Sequence, residues 1–496
     1  MSEKRKHPEH RYVSDLRRMD AGWSVLSRSW SSILPIGSSF LFLVLVAVFA
    51  ASRFGLTAEG SILIVSAAIV GGYMALNIGA NDVANNMGPA VGGRVLTIGA
   101  AIVIAVICET AGAILAGGDV VKTISSGIIA PDRVSVDQFQ SLMLSALFAA
   151  AVWINIATAL NAPVSTTHSI VGGIVGSGIA AAGVDIVNWS TMLQIVASWV
   201  ISPIFGAVVA ALLLHVLKSR VLYAPDRLRA AATWVPLLIA LMASAFAAYM
   251  AMKGLKNIWN ASEVAIAAVA VASFAAAWAL AHPYIARRLS RISDKRSDIS
   301  ALFDLPLIIG AALLSFAHGA NDVANAVGPL AAIVATLGHP SALAVQVEVP
   351  FWVMLVGALG IAIGLATFGP KLIRVVGEQI TRLNSPRAFC VALSAAITVL
   401  LASWMGLPVS STHIAVGAVF GVGFLREYRE NPNRRRLRPG HKLNATADDA
   451  FNSRFVKRSR YLVRRHFLWS IAAAWVITVP ATALLAAALY GLLRLL

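Results

Sequence analysis

The chain has 496 residues, of which 58% are hydrophobic and 13% are charged, and its formal net charge is +17. Average soluble domains carry about 25% charged residues, so this composition excludes an ordinary soluble globular protein. Apolar stretches long enough to cross a bilayer recur along the whole length. They predict an all-α, polytopic membrane protein with about 11–13 membrane segments.

The basic residues are concentrated in short polar connectors between the apolar stretches. These connectors are residues 1–28, 218–229, 287–296, 371–387 and 426–465, and they hold 33 of the 40 Lys and Arg residues. This distribution follows the positive-inside rule for cytoplasmic loops and argues against nucleic acid as a partner. We therefore expect an integral protein of the cell (inner) membrane, surrounded by lipid, with a cytoplasmic N-terminus.

In chain order, a basic cytoplasmic tail (1–28) precedes an extra first span at 29–52. The next apolar segment runs from Gly60 to Gly93, and Asp82 is its only charged residue. As a straight helix it would be about 50 Å long, whereas a bilayer core is about 30 Å thick. Such a segment must tilt steeply, bend or break, and we expect a broken helix. The predicted break points beside the charge are Gly79, Gly88 and Pro89.

Residues 138–184 contain no Asp, Glu, Lys or Arg. Their centre, Asn161 to His168, reads Asn-Ala-Pro-Val-Ser-Thr-Thr-His, and both Pro and Ser/Thr suit the start of a helix. We expect two apolar arms that meet at a tip, which either cross the membrane twice or form a re-entrant hairpin. A further span at 186–217 completes the first half, and a linker with two spans follows at 218–303.

The second half repeats the first. The motif Gly-Ala-Asn-Asp-Val-Ala-Asn occurs at 79–85 and again at 319–325, inside a second overlong segment with predicted breaks at Gly319, Gly328 and Pro329. The tip sequence recurs as Pro-Val-Ser-Ser-Thr-His, starting at Pro408.

The duplication defines transport repeat 1 at 60–217 and transport repeat 2 at 304–496, the latter carrying the basic loop 426–465. The orientation that places all five basic connectors in the cytoplasm makes the two motif segments enter the membrane from opposite sides. The repeats are therefore predicted to be inverted, as in secondary transporters that bind substrate at the midplane.

The residue types in the repeated motifs indicate an ion site. The hydroxyl-rich tips begin half-helices, whose free N–H groups and positive dipole ends favour an anion. The Asp and Asn oxygens of the motifs suit a hard cation, and an Asp can alternatively carry a proton. A carboxylate inside the membrane is costly and is by default a candidate functional residue. Together these features predict an anion symporter rather than an enzyme, with no cofactor.

The doubled motifs resemble those of the inorganic phosphate transporter (Pit) family, and the resemblance covers the chain from about Gly60 to Leu492. It implies phosphate uptake by alternating access coupled to Na⁺ or H⁺, re-entrant hairpins and a homodimer. The residues it implies for phosphate are Asp82, Ser165, Thr166, Thr167, Asp322, Ser410, Ser411 and Thr412. Those it implies for the cation are Asn81, Asp82, Asn85, Asn321, Asp322 and Asn325, with no other metal.

Several interpretations remain open at this stage. The family often has a small residue at the position of Asn86, and this difference could alter how the ion is coordinated. Glu109 has no counterpart in the second half and either tunes coupling or hydrogen-bonds to a neighbouring helix. His168 and His413 either titrate or pack. The alternatives to phosphate symport are a sulfate:cation symporter on the same scaffold and an anion channel.

Overall fold

The computed structural model describes residues 33–55, 61–160, 164–254, 259–336, 349–379, 383–430 and 466–495. The predicted tail at 1–28 lies outside the described residues, as do Pro163 and nearly all of the basic loop 426–465. Where the chain is described, its regular structure is helical, with one isolated β-bridge between Ile129 and Val187.

Fifteen α-helices are described. They are α1 (Ile33–Phe54), α2 (Ser61–Gly92), α3 (Ile98–Ala116), α4 (Gly118–Lys122), α5 (Val136–Ala159), α6 (Thr166–Ala182), α7 (Trp189–Leu217), α8 (Arg227–Tyr249), α9 (Glu263–Leu289), α10 (Arg296–Ala301), α11 (Asp304–Ala335), α12 (Phe351–Gln379), α13 (Ser385–Trp404), α14 (Ser411–Glu430) and α15 (His466–Leu493). Short π-helical turns continue α4, α7 and α8.

Eleven helical segments of the described chain are long and apolar enough to cross a membrane. The all-α, polytopic architecture predicted from the sequence is therefore confirmed. The helices that begin at the two hairpin tips, α6 and α14, are not among the eleven.

The two motif helices are continuous, so the predicted helix breaks at Gly79, Gly88 and Pro89, and at Gly319, Gly328 and Pro329, are wrong. Helices α2 and α11 each run for 32 residues through the motif and contain the proline. Each proline lies near the C-terminal end of its helix, where the backbone hydrogen bond that it removes interrupts little of the helix.

The motif glycines serve close helix packing instead. A Cβ atom added at Gly79 would lie 2.0 Å from the carbonyl oxygen of Ile361 on α12. A Cβ atom at Gly319 would lie 2.1 Å from the carbonyl oxygen of Glu109 on α3. Only glycine lets these backbones approach so closely, as small residues do at helix interfaces in membranes.

Helices α2 and α11 pack against each other in opposite directions. A Cβ atom at Gly71 would lie 3.2 Å from Leu330, whereas a Cβ atom at Gly93, directly after the C-terminal end of α2, would lie 3.7 Å from Leu307. Residue numbers thus rise along one helix as they fall along the other. Because the two helices carry the same motif, the repeats have inverted topology.

Each half also contains a helical hairpin, α5–α6 in the first and α13–α14 in the second. The hairpin helices pack across the repeats: Gly176 on α6 lies against Ala483 on α15, and Gly421 on α14 lies against Ala207 on α7. The first turn of α6 meets the middle of α2, where Thr166 contacts Asp82. The hairpin tips therefore lie at the depth of the motifs, as in a re-entrant hairpin.

The two helices of the predicted linker, α8 and α9, pack against each other beside this core. Most side chains of α9 are exposed in the monomer, including Val264, Val271 and Leu280. This apolar exposure is expected of a helix that faces lipid or a second copy of the chain.

Candidate functional site

The two motif carboxylates lie close together in the protein interior. Asp82 on α2 and Asp322 on α11 are each 1% exposed. The Nε2 atom of His318 lies 2.9 Å from Oδ2 of Asp322 and 3.8 Å from Oδ2 of Asp82. One imidazole ring therefore lies within 4 Å of the motif carboxylates of both repeats.

A third carboxylate, Glu109 on α3, completes this network. Its Oε2 lies 3.0 Å from Nδ1 of His318, and its Oε1 accepts a hydrogen bond from Asn86 Nδ2 at 2.9 Å. Glu109 is fully buried and contacts side chains on two neighbouring helices. Asn86, which stands where the family often has a small residue, is thus a hydrogen-bond partner of Glu109. Any effect of Glu109 on coupling stays a prediction.

His318 is the main residue that the sequence analysis missed. It directly precedes the second motif, and the matching position before the first motif is Ile78. The signal was therefore an asymmetry: a polar residue directly before the second motif, where the first repeat has an apolar one. Comparison of the residues that flank the repeated motif could have found it.

The hairpin tips bind the motif carboxylates through hydroxyl groups. Thr166 donates to Oδ2 of Asp82 at 3.3 Å, and Ser411, its equivalent in the second repeat, donates to Oδ2 of Asp322 at 2.9 Å. Thr412 crosses between the repeats and donates to Oδ1 of Asp82 at 3.0 Å. Residues predicted to bind the anion are thus hydrogen-bonded to residues predicted to bind the cation.

The last asparagine of each motif binds the tip of the other repeat. Asn85 donates to the Thr412 hydroxyl at 2.8 Å, and Asn325 donates to the Thr167 hydroxyl at 3.1 Å. These two contacts are equivalent under the repeat symmetry. The site is therefore built jointly by the two repeats.

The first asparagine of each motif holds the hairpin of its own repeat. Asn81 donates to the carbonyl of Val164 at 3.4 Å, and Asn321 accepts from the N–H of Val409 at 3.2 Å. Asn321 also donates to the carbonyl of Leu407. These side chains fix the tip backbones, and their predicted part in cation binding stays a prediction.

Ser165 and Ser410 cap the helices that start at the tips. Their hydroxyl oxygens accept from the N–H groups of His168 and His413, at 3.2 and 3.3 Å. A capping hydroxyl that accepts a hydrogen bond keeps its own proton to donate. Both serines can therefore still contribute a donor to an anion.

The two capped helix starts meet tip to tip. Thr167 Oγ1 donates to the carbonyl of Val409 at 3.0 Å, and the rings of His168 and His413 lie 4.9 Å apart between centroids. Two helix N-termini therefore converge on one region, each with free N–H groups and a positive dipole end. This arrangement favours an oxyanion. The ring contact supports the packing interpretation of the two histidines.

Two buried oxygen atoms beside the tips have no hydrogen-bond partner in the described part of the chain. They are Oδ1 of Asp322 and Oδ1 of Asn325, which lie three residues apart on α11. Carboxylate and amide oxygens are ligands of hard cations. Asp82, His318 and Asp322 also form a group whose ligand atoms all lie within 4.8 Å of one another.

The network contains more carboxyl groups than basic groups. Both ring nitrogens of His318 face carboxyl oxygens, so both could donate only from an imidazolium. With all three carboxyl groups ionised, one imidazolium would leave two negative charges in a buried region. An anion placed there would be repelled by about 4 kcal/mol for each like charge at 4 Å, at an effective dielectric constant of about 20. Added cations or protons remove this repulsion.

A comparison with protein families matches residues 78–486 to the model described as the phosphate transporter family. A Helicobacter pylori (strain J99) protein with the name "Putative phosphate permease" is 44% identical to this chain over 505 aligned residues, which cover 92% of this chain and 94% of the relative. A Thermococcus kodakarensis relative named as a permease of the same kind is 38% identical, covering 86% of this chain and 97% of its own length.

The fold is also similar to that of a solved structure described as "The sodium-dependent phosphate transporter". The two superpose with a TM-score of 0.78 at 35% sequence identity, over 88% of this chain and 100% of the other. The similarity therefore extends over most of this chain and over the whole of the other.

Proposed function

This chain belongs to the phosphate transporter family, and from that premise we propose that it is a secondary active symporter for inorganic phosphate. Phosphate would be taken up together with Na⁺ or H⁺ by alternating access. The observation that carries the proposal is the direct hydrogen bonding of two convergent helix N-termini to two buried carboxylates, one from each inverted repeat.

The proposed phosphate site lies between the hairpin tips. Its donors are the free N–H groups at the starts of α6 and α14 and the hydroxyl groups of the tips, Ser165 to Thr167 and Ser410 to Thr412. Because these donors are all neutral, selectivity for phosphate over sulfate must come from the neighbouring carboxylates. A protonated phosphate oxygen can donate to Asp82 or Asp322, whereas sulfate has no proton at neutral pH and would be repelled.

The proposed cation site uses the carboxylates and amides of the two motifs. Cation binding there would neutralise the excess negative charge and thereby allow phosphate to bind, which couples the two fluxes. The unpartnered oxygens of Asp322 and Asn325 support a metal cation, and similarity to a transporter described as sodium-dependent supports Na⁺. The Glu109–His318–Asp322 network supports H⁺ as the alternative, since imidazole and carboxylate exchange protons readily.

Alternating access would follow from the inverted repeats. Each hairpin packs on a helix of the other repeat, and the tips meet at the symmetry axis. A rocking motion that separates a tip from one motif would expose the site to one side and keep it closed to the other. This proposal includes the domain division given above, a cytoplasmic N-terminus, a location in the cell membrane and a homodimer.

Transport assays on purified protein in liposomes test substrate and mechanism together. Radiolabelled phosphate uptake should be inhibited by unlabelled phosphate and arsenate and much less by sulfate. Phosphate loaded inside the liposomes should accelerate uptake of external label, because a carrier exchanges substrate across the membrane. Equal inhibition by sulfate would favour the sulfate alternative, and lack of acceleration would favour a channel.

A further inference from the structure

Trp199 on α7 contacts both hairpin tips although it belongs to neither. Its indole Nε1 donates a hydrogen bond of 3.1 Å to the carbonyl of Pro408, at the second tip. Its ring meets the ring of His168 edge-on at the first tip, with 3.8 Å between centroids. Trp199 is 8% exposed, so these contacts are made away from solvent and lipid.

The Trp199 bond is one of three that fix the backbone of Pro408 and Val409, just before α14. The Pro408 carbonyl accepts from Trp199, the Val409 N–H donates to Asn321, and the Val409 carbonyl accepts from Thr167. The three partners come from three different helices. Since both carbonyls are engaged elsewhere, neither is turned toward an anion at the start of α14.

Trp199 lies on a helix that packs closely against α14. A Cβ atom added at Gly417 on α14 would lie 2.3 Å from the carbonyl of Pro203, one turn after Trp199 on α7. Glycine therefore keeps α7 and α14 in direct backbone contact. The same sequence, Trp-Val-Ile, occurs at 199–201 and again at 475–477, on the helix that packs against the first hairpin.

We propose that Trp199 is a positioning residue for phosphate: it orients the backbone of the second tip and connects it to the first tip through His168. This inference rests on the proposed function. Loss of the indole N–H would leave the buried Pro408 carbonyl without its donor, and the tip would adopt other orientations in which its N–H groups bind the anion less well.

The test compares Trp199→Phe with Trp153→Phe, in the full-length protein in liposomes. Both variants replace an indole by a phenyl ring. Trp153 is a matched control because its Nε1 is buried and has no hydrogen-bond partner within the described residues. Trp199→Phe should raise the phosphate KM by about 5- to 30-fold, the effect of an unsatisfied buried carbonyl. Vmax should change by less than about threefold, and Trp153→Phe should change neither constant.

A second readout is the phosphate-induced rise in unfolding temperature of the detergent-solubilised protein, which should need correspondingly more phosphate in Trp199→Phe. Trp199→Leu also lacks the indole N–H, carries no other hydrogen-bond donor, and supplies the same test if the Phe variant does not fold. A wild-type KM in either folded variant, or a fall in Vmax with KM unchanged, would overturn the positioning role. Failure of the wild-type protein to bind or transport phosphate would instead overturn the proposed function.

Discussion

The hydroxyl of Thr412 donates a 3.0 Å hydrogen bond to the carboxylate of Asp82, although the two residues are 330 positions apart in the chain. The equivalent residue of the first hairpin, Thr167, donates to the Val409 carbonyl instead. The tips therefore differ in what they bind, even though their sequences are nearly identical. The second tip is bonded directly to a charged group of the first repeat.

This difference predicts unequal effects of two similar substitutions. Thr412→Val keeps the shape of the side chain and removes a hydrogen bond to a charged group, so the apparent phosphate affinity should fall by about 10- to 100-fold. Thr167→Val removes a hydrogen bond to a neutral carbonyl, so the fall should be about 3- to 10-fold. The phosphate KM of uptake measures both.

Thr233→Val on α8 is a suitable control, because among the described residues its hydroxyl bonds only within its own helix, to the Arg229 carbonyl. Its KM should equal that of the wild-type protein. Wild-type KM values in both tip variants, at equal protein abundance, would mean that the hydroxyl groups only support the hairpins.

The two motif carboxylates should both be essential for concentrative uptake. Asp82→Asn and Asp322→Asn each remove one negative charge that the proposed cation neutralises, and so should abolish accumulation against a gradient while the protein still inserts in the membrane. Asp137→Asn serves as the control, since its carboxylate is exposed and pairs with Arg494 near the surface. Accumulation at the wild-type level in either motif variant would remove that Asp from the mechanism.

Glu109 should influence the cation more than the phosphate. Glu109→Gln removes a charge that faces His318 but does not contact the tips, so the cation concentration at half-maximal uptake should rise by about tenfold, the effect of about 1.4 kcal/mol. The phosphate KM at saturating cation should change less. The measurement is phosphate uptake at varied Na⁺ and, separately, at varied pH.

Asn86→Ala provides the comparison, because it removes only the neutral hydrogen bond to Glu109 and introduces the residue found at the equivalent position 326. Its cation dependence should shift by less than that of Glu109→Gln. Equal shifts in the two variants would show that the Glu109 charge is not what matters.

The orientation of the repeats can be tested by labelling single cysteines in a variant that lacks Cys108 and Cys390. Ser126 precedes the first hairpin and is exposed, whereas its neighbour Ser125 is fully buried. A cysteine at Ser126 should react with a membrane-impermeant reagent from outside. A cysteine at Ser290, an exposed residue at the end of α9, should react only from the cytoplasm. Labelling of both from the same side would contradict the proposed topology.

The sequence predicted most of the helices because each signal was local. The predicted last span at 467–493 and the helix α15 (His466–Leu493) agree to within one residue, since the length of an apolar run is visible in the sequence. The predicted breaks in the motif helices were wrong because the role of the motif glycines depends on contacts that are not local. Gly79 and Gly319 are required by the carbonyl groups of Ile361 and Glu109, which are remote in sequence.

The site was predictable to the extent that it is symmetric. The duplicated motifs and tips predicted twelve site residues, and the structure brings them together between the repeats; their binding roles stay predictions. The Glu109–His318 contact was not predictable in this way, since neither residue has a counterpart in the other repeat. Its two members lie 209 positions apart in the chain, and only the packing of α3 on α11 makes them neighbours.

Gradient-driven uptake into liposomes tests the central claim, that phosphate and a cation cross the membrane together. Purified protein would be reconstituted, and radiolabelled phosphate uptake measured with an inward Na⁺ gradient alone, an inward H⁺ gradient alone, or neither. We predict that one of the two gradients drives phosphate above its external concentration, and that without a gradient it only equilibrates. Uptake that reaches the same level in all three conditions would contradict cation-coupled transport.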